Sequence, residues 1–225
     1  GISQKSLVED TSKTSVYLKN LIELGIIERE FSIDAGIKER ANTRRGIYKL
    51  TDNFFRFWYY FAFTNYSDLE TGDTAGLYEY VIKPQIHEFA SYTFENICRQ
   101  YLQELQKANM LPFRYSQIGR WFGKTTVRDS TQKNGMRIAE TEIDIAAASR
   151  QLKKFLIGEC KFKGRPFRYS EYLDTLAKLS PQKEHADFYY ALFSESGFDD
   201  KILEAAEQEG NLYLYTLEEI VNCKL

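Results

Sequence analysis

The sequence predicts an α/β protein in which a central sheet is covered by helices on both sides and preceded by a smaller module of helices and a β-hairpin. Three observations point there. From about residue 76 the pattern alternates between helical and strand periodicity. Before it, two helical stretches lead into a pair of short apolar runs. With 225 residues, 43% of them hydrophobic and 15% aromatic, the chain can bury one full core and a lesser one.

The elements follow in order. Ser3–Glu9 reads as a short helix, Asp10–Ser12 as a turn, and Lys13–Leu24 as a longer helix with Val16, Leu18, Leu21, Ile22 and Leu24 at helical spacing. Gly25 supplies its stop. IIEREF and GIYKL are the two strands of the hairpin, joined by the polar, basic stretch 34–46. FFRFWYYFAF at 54–63 predicts a buried helix. It carries Arg56 and falls well short of the roughly 20 apolar residues of a membrane span, so no membrane partner is expected. Gly72 and Gly76 mark a junction, giving domains 1–75 and 76–225. Beyond it come a helix over 80–108, strands near 113–122, 137–148 and 154–161, a helix at 169–180, a strand at 187–194, a helix at 199–208 and a strand at 211–216.

A net charge of −2 hides an asymmetry. Residues 114–168 hold 13 basic side chains against 5 acidic, and residues 169–225 hold 4 against 12. The basic block is the footprint of a polyanionic partner, or else it pairs with the acidic tail across the fold. Cys98, Cys160 and Cys223 are odd in number and widely spaced, which argues against a disulfide framework and for a reducing, cytoplasmic compartment. His87 and His185 are too few for a histidine metal cluster.

GRWFGKTT at 119–126 imitates a phosphate loop but has three residues between its glycines where four are needed, which excludes ATP binding there. EIDIAAASRQLKKFLIGECKF at 142–162 is more informative. Strand alternation directs Ile143 and Ile145 one way, and Glu142, Asp144 and Ala146 the other. Glu159 and Lys161 share a face of the next strand. If the two strands pair through SRQLKK, Asp144 lies beside Glu159 at one end of the sheet. Two carboxylates and a main-chain carbonyl make a hard oxygen site suited to Mg²⁺, and a nearby lysine can position water. The alternative is a structural ion pair in which Lys161 neutralises both acids.

The N-terminal stretch resembles winged helix-turn-helix modules through YLKNLIELGIIERE followed by RRGIYKL, with the usual first helix missing. That resemblance implies DNA contacts by Lys13 and Lys19 on the helix and by Lys38, Arg40, Arg44 and Arg45 on the wing, with Arg120 of the basic block as a further contact. The D-x14-ExK arrangement after a long helix resembles the PD-(D/E)XK nuclease superfamily, whose core is a restriction-endonuclease-like αβββαβ. It implies Asp144, Glu159 and the Cys160 carbonyl as ligands of Mg²⁺ or Mn²⁺, Lys161 as partner of the attacking water, and a helical Glu95 from FENIC in support. Glu88, one to two turns earlier, is the lesser choice, and Ile143 stands where the literal pattern has proline.

IGRWF, EIDIAA and IGECKF, preceded by FENIC and FFRFWYYF, together resemble the C-terminal region of archaeal-type AAA+ ATPases, found also in bacteria. The start at Gly1, inside a motif, fits a chain cut from a longer protein whose N-terminal P-loop domain would bind ATP. The resemblance implies a Mg-dependent DNA nuclease, a homo-oligomer if both strands are cut, or instead an inert module that binds DNA or protein and regulates the ATPase. It also permits a toxin-like or defence role.

Overall fold

A computed structural model describes residues 11–41, 46–128, 136–149, 151, 153–178 and 186–223, with side chains left undescribed at 11, 12, 126–128 and 136. The chain divides into two compact units, one running to Phe31 and over Ala35–Gln85, the other comprising Ser32–Asp34 and Ile86–Leu225.

In the first unit, α1 (Thr11–Glu23) leads through Gly25, at φ 70°, into β1 (Ile27–Glu30). A short α2 (Ile37–Ala41) occupies the stretch read as a plain connection, and β2 (Ile47–Leu50) returns antiparallel to β1. Gly46, at φ 93°, has no room for a side chain, since a Cβ would stand 2.9 Å from the Glu30 carbonyl. The predicted helix Ser3–Glu9 lies outside the described residues.

The aromatic segment departs from expectation. It forms α3 (Asn53–Phe57), capped by Asp52, then a π turn (Trp58–Ala62), a 3₁₀ turn (Phe63–Asn65) and α4 (Tyr66–Glu70). Within it only Phe61 and Ala62 are buried, while Phe54, Tyr59 and Phe63 are at least half exposed. A helix so rich in aromatics has more apolar side chains than one buried stripe can take.

A short α5 (Thr74–Gly76) and a π turn (Leu77–Ile82) run into α6 (Lys83–Lys107). The second unit is mixed α/β. Its sheet has the order β3 (Gln117–Arg128), β4 (Met136–Ser149), β5 (Lys154–Lys161), β6 (Asp187–Ser194) and β7 (Leu212–Thr216). The first three strands are antiparallel and the last three parallel. Between them lie α7 (Tyr169–Lys178) and α8 (Asp200–Gln208), and α9 (Leu217–Asn222) follows β7. α9 has no counterpart among the elements expected from sequence, and its start is fixed by a Thr216–Glu219 capping box. The strand expected near 113–122 instead begins at Gln117 and continues in a ribbon with β4 as far as Arg128 opposite Met136.

Two cores flank the sheet. Phe94, Cys98, Leu102 and Leu105 form the buried stripe of α6 and pack with Ile145, Ala147, Leu156, Phe193 and Ile220. On the other face, Tyr172 of α7 and Ile202 and Ala205 of α8 pack with Ile143, Ala146, Ile157 and Leu192. β5 is buried on both sides, as a central strand should be.

The register of β4 corrects the alternation expected from sequence. Gly119 pairs with Ala146 and Trp121 with Ile143, so Arg120 alone faces two residues, Asp144 and Ile145. This is a β-bulge, and it reverses the side-chain alternation beyond it. Ile143 and Ala146 therefore share the α7 side, and Ile145 turns to the α6 side with Ala147. Gly119 and Gly123 sit within β3, in no phosphate-cradling loop.

Ile145 stands directly opposite Gly158, and a Cβ at Gly158 would meet the Ile145 Cβ at 2.9 Å. The bulged strand thus fits only against a glycine. Gly158→Ala is expected to cost about 1–3 kcal/mol through overpacking, read as a lowered midpoint in denaturant unfolding. An unchanged midpoint would show that β4 and β5 can separate freely there.

Candidate functional site

The bulge sets Asp144 where the β4–β5 ladder ends. Ile145↔Gly158 is the last pair, and beyond it the Asp144 carboxylate takes the place of a main-chain partner, its Oδ2 accepting from the Cys160 N–H at 2.9 Å. The carbonyl of Lys161 faces β6, where it accepts from the Glu195 N–H at 3.1 Å. Main-chain groups alternate sides along a strand, so the Cys160 carbonyl is turned toward Asp144.

Glu159 is 5% exposed and held from two directions. Its Oε1 accepts from Lys161 Nζ at 2.7 Å and its Oε2 from Lys178 Nζ at 2.8 Å. The Lys161 ammonium also lies 5.9 Å from the centre of the Phe167 ring. Lys178 was not singled out from sequence. A lysine in the last turn of a helix reads as a generic complement to the helix dipole, and nothing local points to a strand carboxylate 19 residues earlier.

The electrostatics follow from this packing. Burial, then the charge of Glu159, pushes the Asp144 carboxyl above its ordinary range, against the Cys160 N–H, Lys161 and Lys178, which pull it down. Burial works to lower Lys161, but the charge and hydrogen bond of Glu159, with Asp144 behind, more than offset it and hold the ammonium above its ordinary value. Lys161 is thus a cation at neutral pH, fitted to orient water or stabilise negative charge and not to accept a proton. Burial pushes the Cys160 thiol well up, aided by Cys98, Asp144 and Glu95, which leaves no thiolate for soft-metal binding or nucleophilic attack.

Glu95 is half-buried on α6, one turn before Cys98, and acts electrostatically on Cys160 together with Asp144. Among the described residues no three His, Cys, Asp or Glu side chains come close enough together to hold one metal ion. The oxygen set is therefore the carboxylate pair and the Cys160 carbonyl, with Glu95 nearby. Behind Lys161 the chain is anchored by Glu171, which takes two hydrogen bonds of 2.9 Å from Arg165 and one of 3.1 Å from the Arg168 N–H. The Arg165 hydrogen bonds bring the Glu171 carboxyl down to about 2.

The expected DNA contacts divide. Lys13, Lys19, Lys38 and Arg40 are exposed in the first unit, with Lys19 3.7 Å from Glu23 and Arg40 donating to the Ala35 carbonyl at 3.0 Å. Arg44 and Arg45 lie outside the described residues, as does His185. Arg120 is drawn to Glu142 at 2.9 Å and is largely covered. His87 stands 3.4 Å from Glu195. Among the described residues no helix is long and apolar enough to cross a membrane.

Residues 58–172 match the DUF234 family, described as archaeal and bacterial proteins of unknown function. An uncharacterized protein of Methanocaldococcus jannaschii, MJECL04, is 34% identical over 152 residues, which make up 68% of this chain and 30% of that protein. The chain thus spans under a third of that relative's length. Two crystal structures are similar in part. Protein AF1548, of unknown function, is 16% identical with a TM-score of 0.37 over 56% of this chain and 57% of its own. Protein VC1899 from Vibrio cholerae is 15% identical with a TM-score of 0.41 over 95% of this chain and 41% of its own.

Replacing either carboxylate should have opposite consequences. Asp144→Asn keeps an acceptor for Cys160 and removes a disfavoured charge. A raised carboxyl value means the folded state holds its proton longer, so that contribution to stability is present at low pH and is lost as pH rises through the raised value. The variant should therefore melt higher at pH 7, by about 2–4 °C for each kcal/mol relieved. The difference should shrink to nothing below the ordinary carboxylate range. Glu159→Gln should destabilise by roughly 3–5 kcal/mol, because two partly buried ammonium groups lose their partner. A lower melting temperature for Asp144→Asn at pH 7 would contradict this electrostatic account.

Proposed function

From the premise that this chain belongs to the DUF234 family of archaeal and bacterial proteins, we propose that its second unit is a metal-dependent nuclease of the PD-(D/E)XK type, cleaving phosphodiester bonds in DNA. The observation that carries the reading is the pairing of Asp144 with Glu159 and a cationic Lys161 where β4 leaves β5. The element order α6-β3-β4-β5-α7-β6 agrees with the αβββαβ core of that superfamily.

The donor set suits Mg²⁺ or Mn²⁺. Asp144, Glu159 and the Cys160 carbonyl all offer oxygen, and a divalent cation would offset the burial and the Glu159 charge that raise the Asp144 carboxyl. Bound there, the ion would supply positive charge to the phosphoryl oxygens. The protein's own part is positional. Lys161 Nζ, held by Glu159 and by the Phe167 ring, would orient the attacking water and stabilise charge growing on the phosphate. Glu95 would fix water on the α6 side. Lys163 and Arg168, exposed on the segment after β5, would hold the flanking backbone.

The first unit, with its helix, hairpin and exposed Lys13, Lys19, Lys38 and Arg40, is proposed as a winged helix-turn-helix that docks on duplex DNA, with Arg44 and Arg45 as further contacts. The longer relative agrees with a further domain in the same polypeptide, which we propose to be an AAA+ ATPase. One observation favours a second reading. Lys161 and Lys178 already neutralise Glu159, as they would in an inert module whose role is to bind DNA or protein and regulate that ATPase.

Calorimetry with Mg²⁺ and Mn²⁺, run beside cleavage of plasmid and single-stranded DNA, separates the two readings. The nuclease should bind metal, lose that binding in Asp144→Ala, and lose cutting but not DNA binding in Lys161→Ala. An intact chain that neither binds metal nor cuts supports the inert module. Backbone contacts should weaken steeply between about 50 and 200 mM salt, and Arg44→Glu with Arg45→Glu should lower affinity across all sequences alike. A flat salt response would remove the basic residues from the interface.

A further inference from the structure

A cavity of about 260 Å³ opens on the α7 side of the sheet in the second unit, one layer along β4 and β5 from the carboxylate pair. Its lining includes Trp121, Ile143, Ala148, Phe155, Ile157 and Phe188. Phe155 and Phe188 stack at 5.4 Å with their planes 20° apart, a stiff aromatic pair in the lining. The Trp121 indole is fixed in place. Its Nε1–H donates to Asp34 Oδ2 at 3.0 Å, and Gly123 leaves it room, since a Cβ there would approach the ring to 3.2 Å. The segment bearing Asp34 is itself pinned to β3, Ile33 N–H donating to the Arg120 carbonyl at 2.9 Å and Phe122 N–H to Ser32 Oγ at 3.2 Å.

Two polar side chains stand exposed at the rim, the Gln117 amide and the Asp34 carboxylate. Each Asp34 oxygen already accepts one hydrogen bond, from Ser32 Oγ or from Trp121, and a carboxylate oxygen has a second lone pair to offer.

We propose that this cavity binds a purine base. Its volume lies just below the range of about 300–1,000 Å³ that accepts drug-sized ligands, which suits a two-ring heteroaromatic and excludes a long chain. Flat aromatic walls favour a planar guest over an aliphatic one of equal volume. The rim offers an acceptor in Asp34 and both a donor and an acceptor in Gln117, a pattern that meets the N–H groups and ring nitrogens of a base edge. The same carboxylate repels phosphate, so the base enters and any phosphate stays outside. A purine brings two fused rings to the aromatic lining where a pyrimidine brings one, and so buries more apolar face. The proposal stands independently of the nuclease reading.

Tryptophan fluorescence of the full chain tests it, in a Trp58→Phe background that leaves Trp121 as the single indole. Adenosine, guanosine, cytidine and uridine are titrated to about 1 mM, the weak end of specific binding. Saturable quenching by the purines, at least about tenfold tighter than by the pyrimidines, is expected. Ala148→Leu, which enlarges a side chain of the lining, should abolish it, and Gln117→Ala, at an exposed position that leaves the fold alone, should weaken it several-fold. Absence of saturable quenching by any nucleoside overturns the proposal. So does quenching that neither variant reduces, or that is equal for all four.

Discussion

Two carboxylates crowded together in a protein interior repel one another, and the surroundings of Asp144 and Glu159 are arranged around that repulsion. Lys161 and Lys178 approach Glu159 from different elements, one from its own strand and one from the end of α7. Asp144 is held instead by a main-chain N–H, that of Cys160. The pair is thus unequally compensated. A stable core would have little use for an arrangement in which one acid is neutralised twice and its neighbour remains strained by burial. An incoming cation would gain most at the acid that is the less compensated of the two.

Sheet topology makes the arrangement possible. β5 pairs antiparallel with β4 only from Lys154 to Gly158 and parallel with β6 along its whole length, so the end of β5 is supported by β6 while β4 departs. Glu159, Cys160 and Lys161 therefore keep a rigid backbone on one side and an open edge on the other. The segment after them is tied down separately by Glu171 and by the Phe167 ring, so Lys161 is held by two independent anchors.

Much of this was legible in the sequence, and the exceptions have physical causes. β5, β6 and the helices around them are strongly periodic, and their limits agree with expectation to within a residue or two. Asp144, Glu159 and Lys161 were legible as a group because charged residues inside apolar strands demand explanation. The sides taken by Ile145 and Ala146 were not, because a bulge is a fact of register between two strands and leaves no mark in either one alone. Lys178 was hidden for a related reason, its partner being fixed by tertiary packing. The aromatic segment misled in the opposite direction, since its composition suggested burial while a helical surface can bury only part of it.

The bulge at Asp144 and Ile145 also bears on how this site can change over time. Its geometry depends on one strand having one residue more than its neighbour, and that surplus is a property of length. Substitutions can exchange the carboxylate for another group while the displaced backbone persists, ready to present whatever side chain stands there. Loss of a single residue from this part of β4 would instead restore plain alternation and leave one residue where Asp144 and Ile145 now stand together opposite Arg120. The chain should therefore tolerate drift in the chemistry of this position far better than any change in its count, so that scaffolds with altered or silent sites can descend from an active one without refolding.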